Sequence, residues 1–288
     1  MVASAGTLSI GRHRFVVPPW RHLLTIVGIG AAVITFISLT QTGGNPVDAF
    51  CFWFIDPAHP YTSGSSQFTY TPVAAQVLTP FVALPFPVFV ALIRALGLAA
   101  LVAVAGPATL PALLLPPVAA EINAANINFL VGLAVLGAFR WPGLYAFPLL
   151  TKVTPGVGVL WFAVRREWRP FAIAVGVTGG LVVVSFLANP SLWFRYVEFL
   201  ANDTPQVAGW PFPYPIWLRL PLAVGLVAWG ARTDRRWVVP AAALLALPRL
   251  YFQSPALLLA VLPALAGGWA STERWGPPWR RGAWRRGA

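Results

Sequence analysis

Two carboxylates eight positions apart, Asp48 and Asp56, lie in the stretch NPVDAFCFWFIDPAHPYTSGSSQFTYTP, residues 45–72, which contains aromatics but no lysine or arginine. A carboxylate set on aromatic side chains at a membrane surface can be tuned in both desolvation and position, which suits proton abstraction. Asp48 is the candidate general base. Asp56 opens an Asp-Pro turn, with Pro60 close behind, and so has a scaffolding reading beside its role as a candidate substrate-binding residue. Asp48, Asp56 and His59 have the ligand types of a metal site, but their spacing fits no standard one and no second acid or histidine cluster supports it. No metal and no cofactor are expected.

Lys152 is the only lysine of the chain and lies deep in the apolar run LYAFPLLTKVTPGVGVLWFAV, residues 144–164. A charge at that depth is costly unless it is paired or faces water. One reading gives it a lipid phosphate or pyrophosphate to bind; the other makes it a snorkelling side chain or a buried partner of Glu121. Glu121, Asn123, Asn126 and Asn128 follow two short apolar runs, 95–105 and 108–120, that Pro107, Pro111, Pro116 and Pro117 interrupt. Broken segments at membrane depth line cavities, so these four polar residues are expected to form a cavity wall. Arg195, Arg219 and Arg249 fall near the outer ends of apolar runs, as interfacial anchors or as bidentate phosphate ligands. Tyr61, Phe68, Tyr70, Trp193 and Trp210 suit an interface belt or a sugar platform.

The elements that position these groups are set by composition. Of 288 residues, 58% are hydrophobic and 10% charged, and the mean hydropathy is +0.71. A soluble domain of this size could not bury so much apolar surface. The fold class is therefore all-α: a polytopic integral membrane protein with one membrane domain over 1–288 and the lipid bilayer as partner. The net charge of +12 sits in clusters that flank apolar runs, at Arg12 and Arg14, 165–169, 232–236 and 280–286, and marks cytoplasmic turns rather than nucleic-acid binding. Cys51, the single cysteine, excludes a disulfide framework.

Residues 22–40 form a first span, expected as a retained anchor rather than a cleavable signal, and 41–71 a first extracytoplasmic loop whose segment PVDAFCFWFI lies in the interface. Residues 72–93 return to a cytoplasmic Arg94. Four crossings at 95–105, 108–120, 127–139 and 142–164, two of them thin, lead to the basic turn, and 170–188 crosses outward to a second loop at 189–212. Residues 213–230, 237–250 and 255–270 complete about ten transmembrane helices, with both termini and a basic tail, 271–288, in the cytoplasm. No internal repeat is apparent, which weighs against a secondary transporter.

The order of these features resembles glycosyltransferase family 87. The resemblance rests on Asp48 with Phe50 and Trp53, Pro60-Tyr61, Phe68-Thr69-Tyr70-Thr71-Pro72, Asn126-Ile127-Asn128 and Lys152-Val153-Thr154-Pro155, and covers about residues 22–200. Ala125 stands where that family usually has glycine, Thr71 interrupts its Tyr-Pro-Pro, and no histidine follows His59. The resemblance implies a GT-C fold in a bacterial plasma membrane and an inverting, metal-free transfer on the extracytoplasmic side. The donor would be a polyprenyl-phosphate sugar, with mannose the sugar, the acceptor a glycolipid or glycan, and Asp48 the base. Lys152, Asn126, Asn128, Tyr70, Arg195, Arg249 and Asp56 are the candidate substrate-binding residues. Two other readings stay open: a lipid or sugar transporter or flippase using Lys152 and Glu121 as pathway charges, and a catalytically inactive GT-C-like binding subunit.

Overall fold

The computed structural model describes residues 7–10, 13–16, 19–56, 59–61, 68–202 and 215–265; Asp203, Trp210 and the expected tail at 271–288 lie outside them. A short antiparallel hairpin, β1 (Thr7–Ile10) with β2 (His13–Val16), precedes an otherwise helical chain. The helices are α1 (Pro19–Thr42), α2 (Val47–Trp53), α3 (Pro72–Leu78), α4 (Phe86–Ala105), α5 (Thr109–Leu113), α6 (Pro116–Ala124), α7 (Asn128–Gly137), α8 (Ala146–Thr151), α9 (Leu160–Val164), α10 (Trp168–Ala188), α11 (Pro190–Asn202), α12 (Ile216–Thr233), α13 (Val238–Leu245) and α14 (Val261–Leu265). Tight 3-10 turns at Pro142–Tyr145, Thr154–Val159 and Ser254–Ala260 extend several of them.

Among the described residues three helical segments are long and apolar enough to cross a membrane: Trp20–Thr42, Phe86–Leu113 and Trp168–Ala188. A fourth arises if α6 and α7, bent by 104°, count as one broken span. The about ten crossings expected from hydropathy are therefore not present as full-length helices. At 1.5 Å per residue the 24 residues of α1 reach about 36 Å, enough for a hydrocarbon core of roughly 30 Å. The flanks of α1 and α10 are mostly exposed and apolar, with Ile26, Ile34, Val184 and Leu187 among the outward side chains, as lipid contact requires. Half of α4 is buried, and α4 packs against α1 and α7 as the central helix.

Proline placement explains where the sequence reading fails. The expected span 72–93 is broken: α3 stops at Leu78, a tight turn carries Pro80, and Pro85 is extended at φ −55, ψ 136. Proline removes a helical donor and disfavours helix just before it, so a new helix starts at Phe86 and absorbs the run at 95–105. Arg94, expected as a cytoplasmic anchor, consequently falls inside α4 and is 3% exposed. The expected span 142–164 is likewise cut, between Lys152 and Thr154. Residues 237–250 and 255–270 contain only the short helices α13 and α14 and a 3-10 turn.

The two ends of the molecule differ. Arg165 binds the carboxylates of Glu167 and Asp234, each at 3.0 Å, and the Ala231 carbonyl at 2.9 Å, which gathers the turns after α9 and α12 at one end. Helix α10 runs roughly 30 Å from that end to Ser185, where Gln76 and Trp193 meet it, and α12 runs back from Arg219. The polar groups singled out in the sequence gather at the end opposite the basic turns.

Candidate active site

Asp48 stands in the first turn of α2, and the chain reaches it through Gly43 and Gly44, both at positive φ. A Cβ on Gly44 would lie 2.4 Å from Asn123 Oδ1 and 2.8 Å from an Arg94 nitrogen, so only glycine fits there. Arg94 donates to the carbonyls of Leu39 (3.0 Å), Gly43 (3.0 Å), Ile122 (3.3 Å) and Asn123 (2.9 Å), and Asn123 Oδ1 accepts the Asn45 N–H at 2.9 Å. A buried guanidinium is tolerable because its fan of donors finds carbonyls at two helix C-termini, where the helix dipoles favour positive charge. Arg94 thereby ties the end of α1 to the end of α6, and with them Asp48 to Asn126.

Helix α6 ends because Ala125 turns left-handed, at φ 53 and ψ 49, and the Asn126 N–H bonds back to the Glu121 carbonyl at 3.2 Å. That six-to-one bond is the usual way of closing a helix whose next residue is left-handed. The resulting bend frees Asn126 and Asn128 from helical alignment. Asn126 Nδ2 donates to Asp48 Oδ2 at 2.8 Å, while its Oδ1 accepts from Lys152 Nζ at 3.0 Å. Lys152 Nζ also donates to Asn128 Oδ1 at 2.7 Å. Asn128 in turn gives its backbone N–H (2.6 Å) and its Nδ2 (2.9 Å) to the two oxygens of Glu121.

Lys152 is displayed by a second break. Val153 has φ 59 and ψ −71, and the Thr154 N–H bonds to the Lys152 carbonyl at 2.8 Å, which closes a three-residue turn around a β-branched residue. Such a turn is strained, and strain of this kind gathers where side chains must be aimed. A third arm comes from beyond α13. Arg219, 5% exposed, donates to the carbonyls of Leu245, Leu247 and Pro248, and the segment it secures carries Arg249, Tyr251 and Gln253. Gln253 Nε2 reaches Asp48 Oδ2 at 3.2 Å.

These arms enclose a cavity of about 430 Å³ lined by Asp48, Cys51, Tyr70, Asn126, Lys152 and Arg249, among others. Both amide donors to Asp48 fall on Oδ2, and Oδ1 carries no hydrogen bond among the described residues. Burial raises the Asp48 carboxyl above its ordinary value of 3.8; the Lys152 charge and the amides of Asn126 and Gln253 pull the other way without prevailing. The result is a carboxylate held in one orientation by neutral donors and more basic than a solvated aspartate. Beside it, Lys152 spends two of its three N–H groups on asparagine oxygens. A second cavity, about 520 Å³ and almost wholly apolar, adjoins the first. Val73, Val77, Phe89, Phe147 and Leu181 line it, and Phe52, Tyr70 and Thr151 belong to both walls.

Of the residues expected at the site, Asp48, Lys152, Asn126, Tyr70 and Arg249 meet at one cavity. Asn128, 1% exposed, stands behind Lys152 rather than in the cavity. Arg195 lies on the exposed side of α11, and Asp56 is exposed and 3.2 Å from His59; neither lines the cavity. Arg219, weighed as a phosphate ligand, is engaged with backbone carbonyls instead. The direct pair of Lys152 with Glu121 is replaced by a bridge through Asn128. Gln253 and Tyr251 were missed; the only cue was a short polar interruption, RLYFQS at 249–254, between two apolar runs.

The structure thus sets a polar, partly enclosed cavity that holds a carboxylate and a cation against an apolar cavity in a helical fold. The sequence pattern of glycosyltransferase family 87 matches residues 68–283, three-quarters of the chain, and the protein belongs to that family. The match extends further toward the C-terminus than the motifs noted at 22–200 and starts after Asp48, so the position of Asp48 rests on the geometry above. No curated protein and no solved structure matches the chain.

Proposed function

We propose that this glycosyltransferase is a GT-C enzyme of the bacterial plasma membrane. It moves a sugar, mannose in our reading, from a polyprenyl-phosphate donor to a hydroxyl of an extracytoplasmic glycolipid or glycan, and both chain termini lie in the cytoplasm. The observation that carries this is the shared wall of the two cavities: Phe52, Tyr70 and Thr151 separate an apolar space suited to a prenyl chain from a polar one holding Asp48, Lys152 and Arg249. A lipid phosphate lying across that wall would meet the free N–H of Lys152.

The chemistry follows from the two ends of the polar cavity. Asp48 Oδ1 takes the acceptor hydroxyl proton as its oxygen attacks the anomeric carbon. The bond from that carbon to the phosphate oxygen breaks, and its electron pair leaves with the polyprenyl phosphate, which gains a negative charge. Lys152 and Arg249 stabilise that charge as it develops, in a site largely shielded from water. The proton on Asp48 passes to solvent. Because a phosphate leaving group needs no general acid, inversion here requires one basic carboxylate and no covalent intermediate.

The test uses purified protein in nanodiscs, radiolabelled polyprenyl-phosphate mannose and a panel of glycolipid acceptors. Wild type transfers sugar, and Asp48→Asn loses at least about a thousandfold in rate while retaining donor lipid and its folded elution profile. The acid limb of the wild-type rate profile should lie above 3.8: Asp48 works only when deprotonated, and its raised pKa carries that transition upward. Full activity of Asp48→Asn would sink the mechanism.

A further inference from the structure

The network around Lys152 is symmetric in its chemistry but not in its exposure. On one side the ammonium reaches Asn126 Oδ1, whose amide donates to Asp48 at the cavity; on the other it reaches Asn128 Oδ1, whose amide donates to Glu121. Both carboxylates are thus one amide away from the same cation. Asp48 faces the cavity, whereas Glu121 is fully buried and does not line it.

The backbone N–H and the side-chain amide of Asn128 each donate to one oxygen of Glu121, and with the amide so oriented its Oδ1 accepts from Lys152. The other charged or titratable groups nearby are few. Helix α4 brings Arg94, which four backbone carbonyls already occupy; α2 brings Asp48 and Cys51; the loop before α3 brings Tyr70; the run past α13 brings Arg249 and Tyr251 to the cavity that Lys152 also lines. Helix α5 and the 254–260 turn, also packed on α6, contain no titratable side chain.

We infer that Glu121 is a positioning residue: the standing counter-charge of Lys152, which fixes the ammonium in place and lets Asp48 gain and lose its proton without dislodging it. This rests on the reading of Asp48 as the base. If Asp48 were the principal counter-charge, Lys152 would be left unbalanced in a low-dielectric pocket once the phosphate had left and before Asp48 gave up its proton. With Glu121 behind it, Lys152 keeps a partner throughout.

Lys152 being the only lysine makes a direct test possible. Biosynthetic labelling with carbon-13 and nitrogen-15 lysine gives a single side-chain spin system with the ammonium intact, and its titration reports Lys152 without any turnover. The expected result is that Glu121→Gln lowers the Lys152 midpoint by about one pH unit or more, that Asp48→Asn lowers it by less, and that Glu121→Asp largely restores it. In the transfer assay, Glu121→Gln shifts both limbs of the rate profile to lower pH, since Asp48 then bears the full attraction of Lys152. A purely structural Glu121 would lower the rate with both limbs unmoved, and that result, or a larger effect of Asp48→Asn on Lys152, overturns the inference. Should Glu121→Gln not yield folded protein, the double variant Glu121→Gln, Asn128→Asp moves the negative charge next to Lys152. Recovery of fold and midpoint supports the inference, and failure of that variant as well overturns it. Absence of transfer by the wild type would count against the proposed reaction, while the Lys152 titrations would still rank the two carboxylates.

Discussion

The two adjoining cavities are built in opposite ways. The apolar one is walled mostly by side chains on the flanks of helices, α3, α4, α7, α8 and α10 among them, which need only be large and apolar. The polar one is walled by places where helices stop: the glycine pair before α2, the left-handed Ala125 after α6, the strained turn at Val153 after α8, and the irregular run past α13. In a membrane an interrupted helix exposes polar backbone that must find partners, and the same interruption releases side chains from the helical surface. Two buried arginines stabilise these stops, Arg94 at α1 and α6 and Arg219 at α13. Removing either would leave several buried carbonyls unsatisfied, at roughly 1–3 kcal/mol each.

The division of labour can be broken from each side. After Asp48→Asn, the largest effect is expected at Lys152→Ala, which removes the cation from the polar cavity only. Its kcat should fall by about two orders of magnitude, with a higher KM for the donor, in steady-state transfer assays; an unchanged response to donor concentration would detach Lys152 from the phosphate. Ala74→Trp fills the apolar cavity from α3 and leaves the polar groups in place. It should raise the donor KM by about tenfold while kcat with a short-chain donor stays near wild type, and an equal loss with both donors would dissolve the distinction between the cavities. The smallest effect concerns backbone alone. Ala125→Gly relieves a left-handed alanine and should stabilise the protein by roughly 1 kcal/mol, whereas Ala74→Gly on the flank of α3 should destabilise it by a similar amount, as read by thermal unfolding in detergent. Matching signs at the two positions would show that stops and flanks are not under different constraints.

Asp48, Asn126 and Lys152 stood out in the sequence because each is a polar residue in a chain otherwise dominated by apolar ones; the family match covers Asn126 and Lys152 and begins after Asp48. Asn128 bonds Lys152 and does not line the cavity, a placement the sequence does not give, because it cannot tell a side chain that faces a ligand from one that faces the side chain facing it. Arg94 was misread for a related reason: a basic residue next to an apolar run looks like a membrane anchor until the helix boundary is known. The error moved with the prolines, since Pro80 and Pro85 shift the start of the central helix.

By itself, the sequence determined the class of molecule, the candidate base and cation, and the family, because apolar content, charge clusters and short motifs are local properties that survive any folding of the chain. The tertiary structure alone decided which groups meet. Gln253 reaches Asp48 across 205 positions, Asn128 bridges Glu121 and Lys152, and the apolar cavity draws on helices from α2 to α10. Those pairings depend on where helices stop and in which direction the chain leaves them. Such choices are made by packing between distant segments, and no local pattern records them.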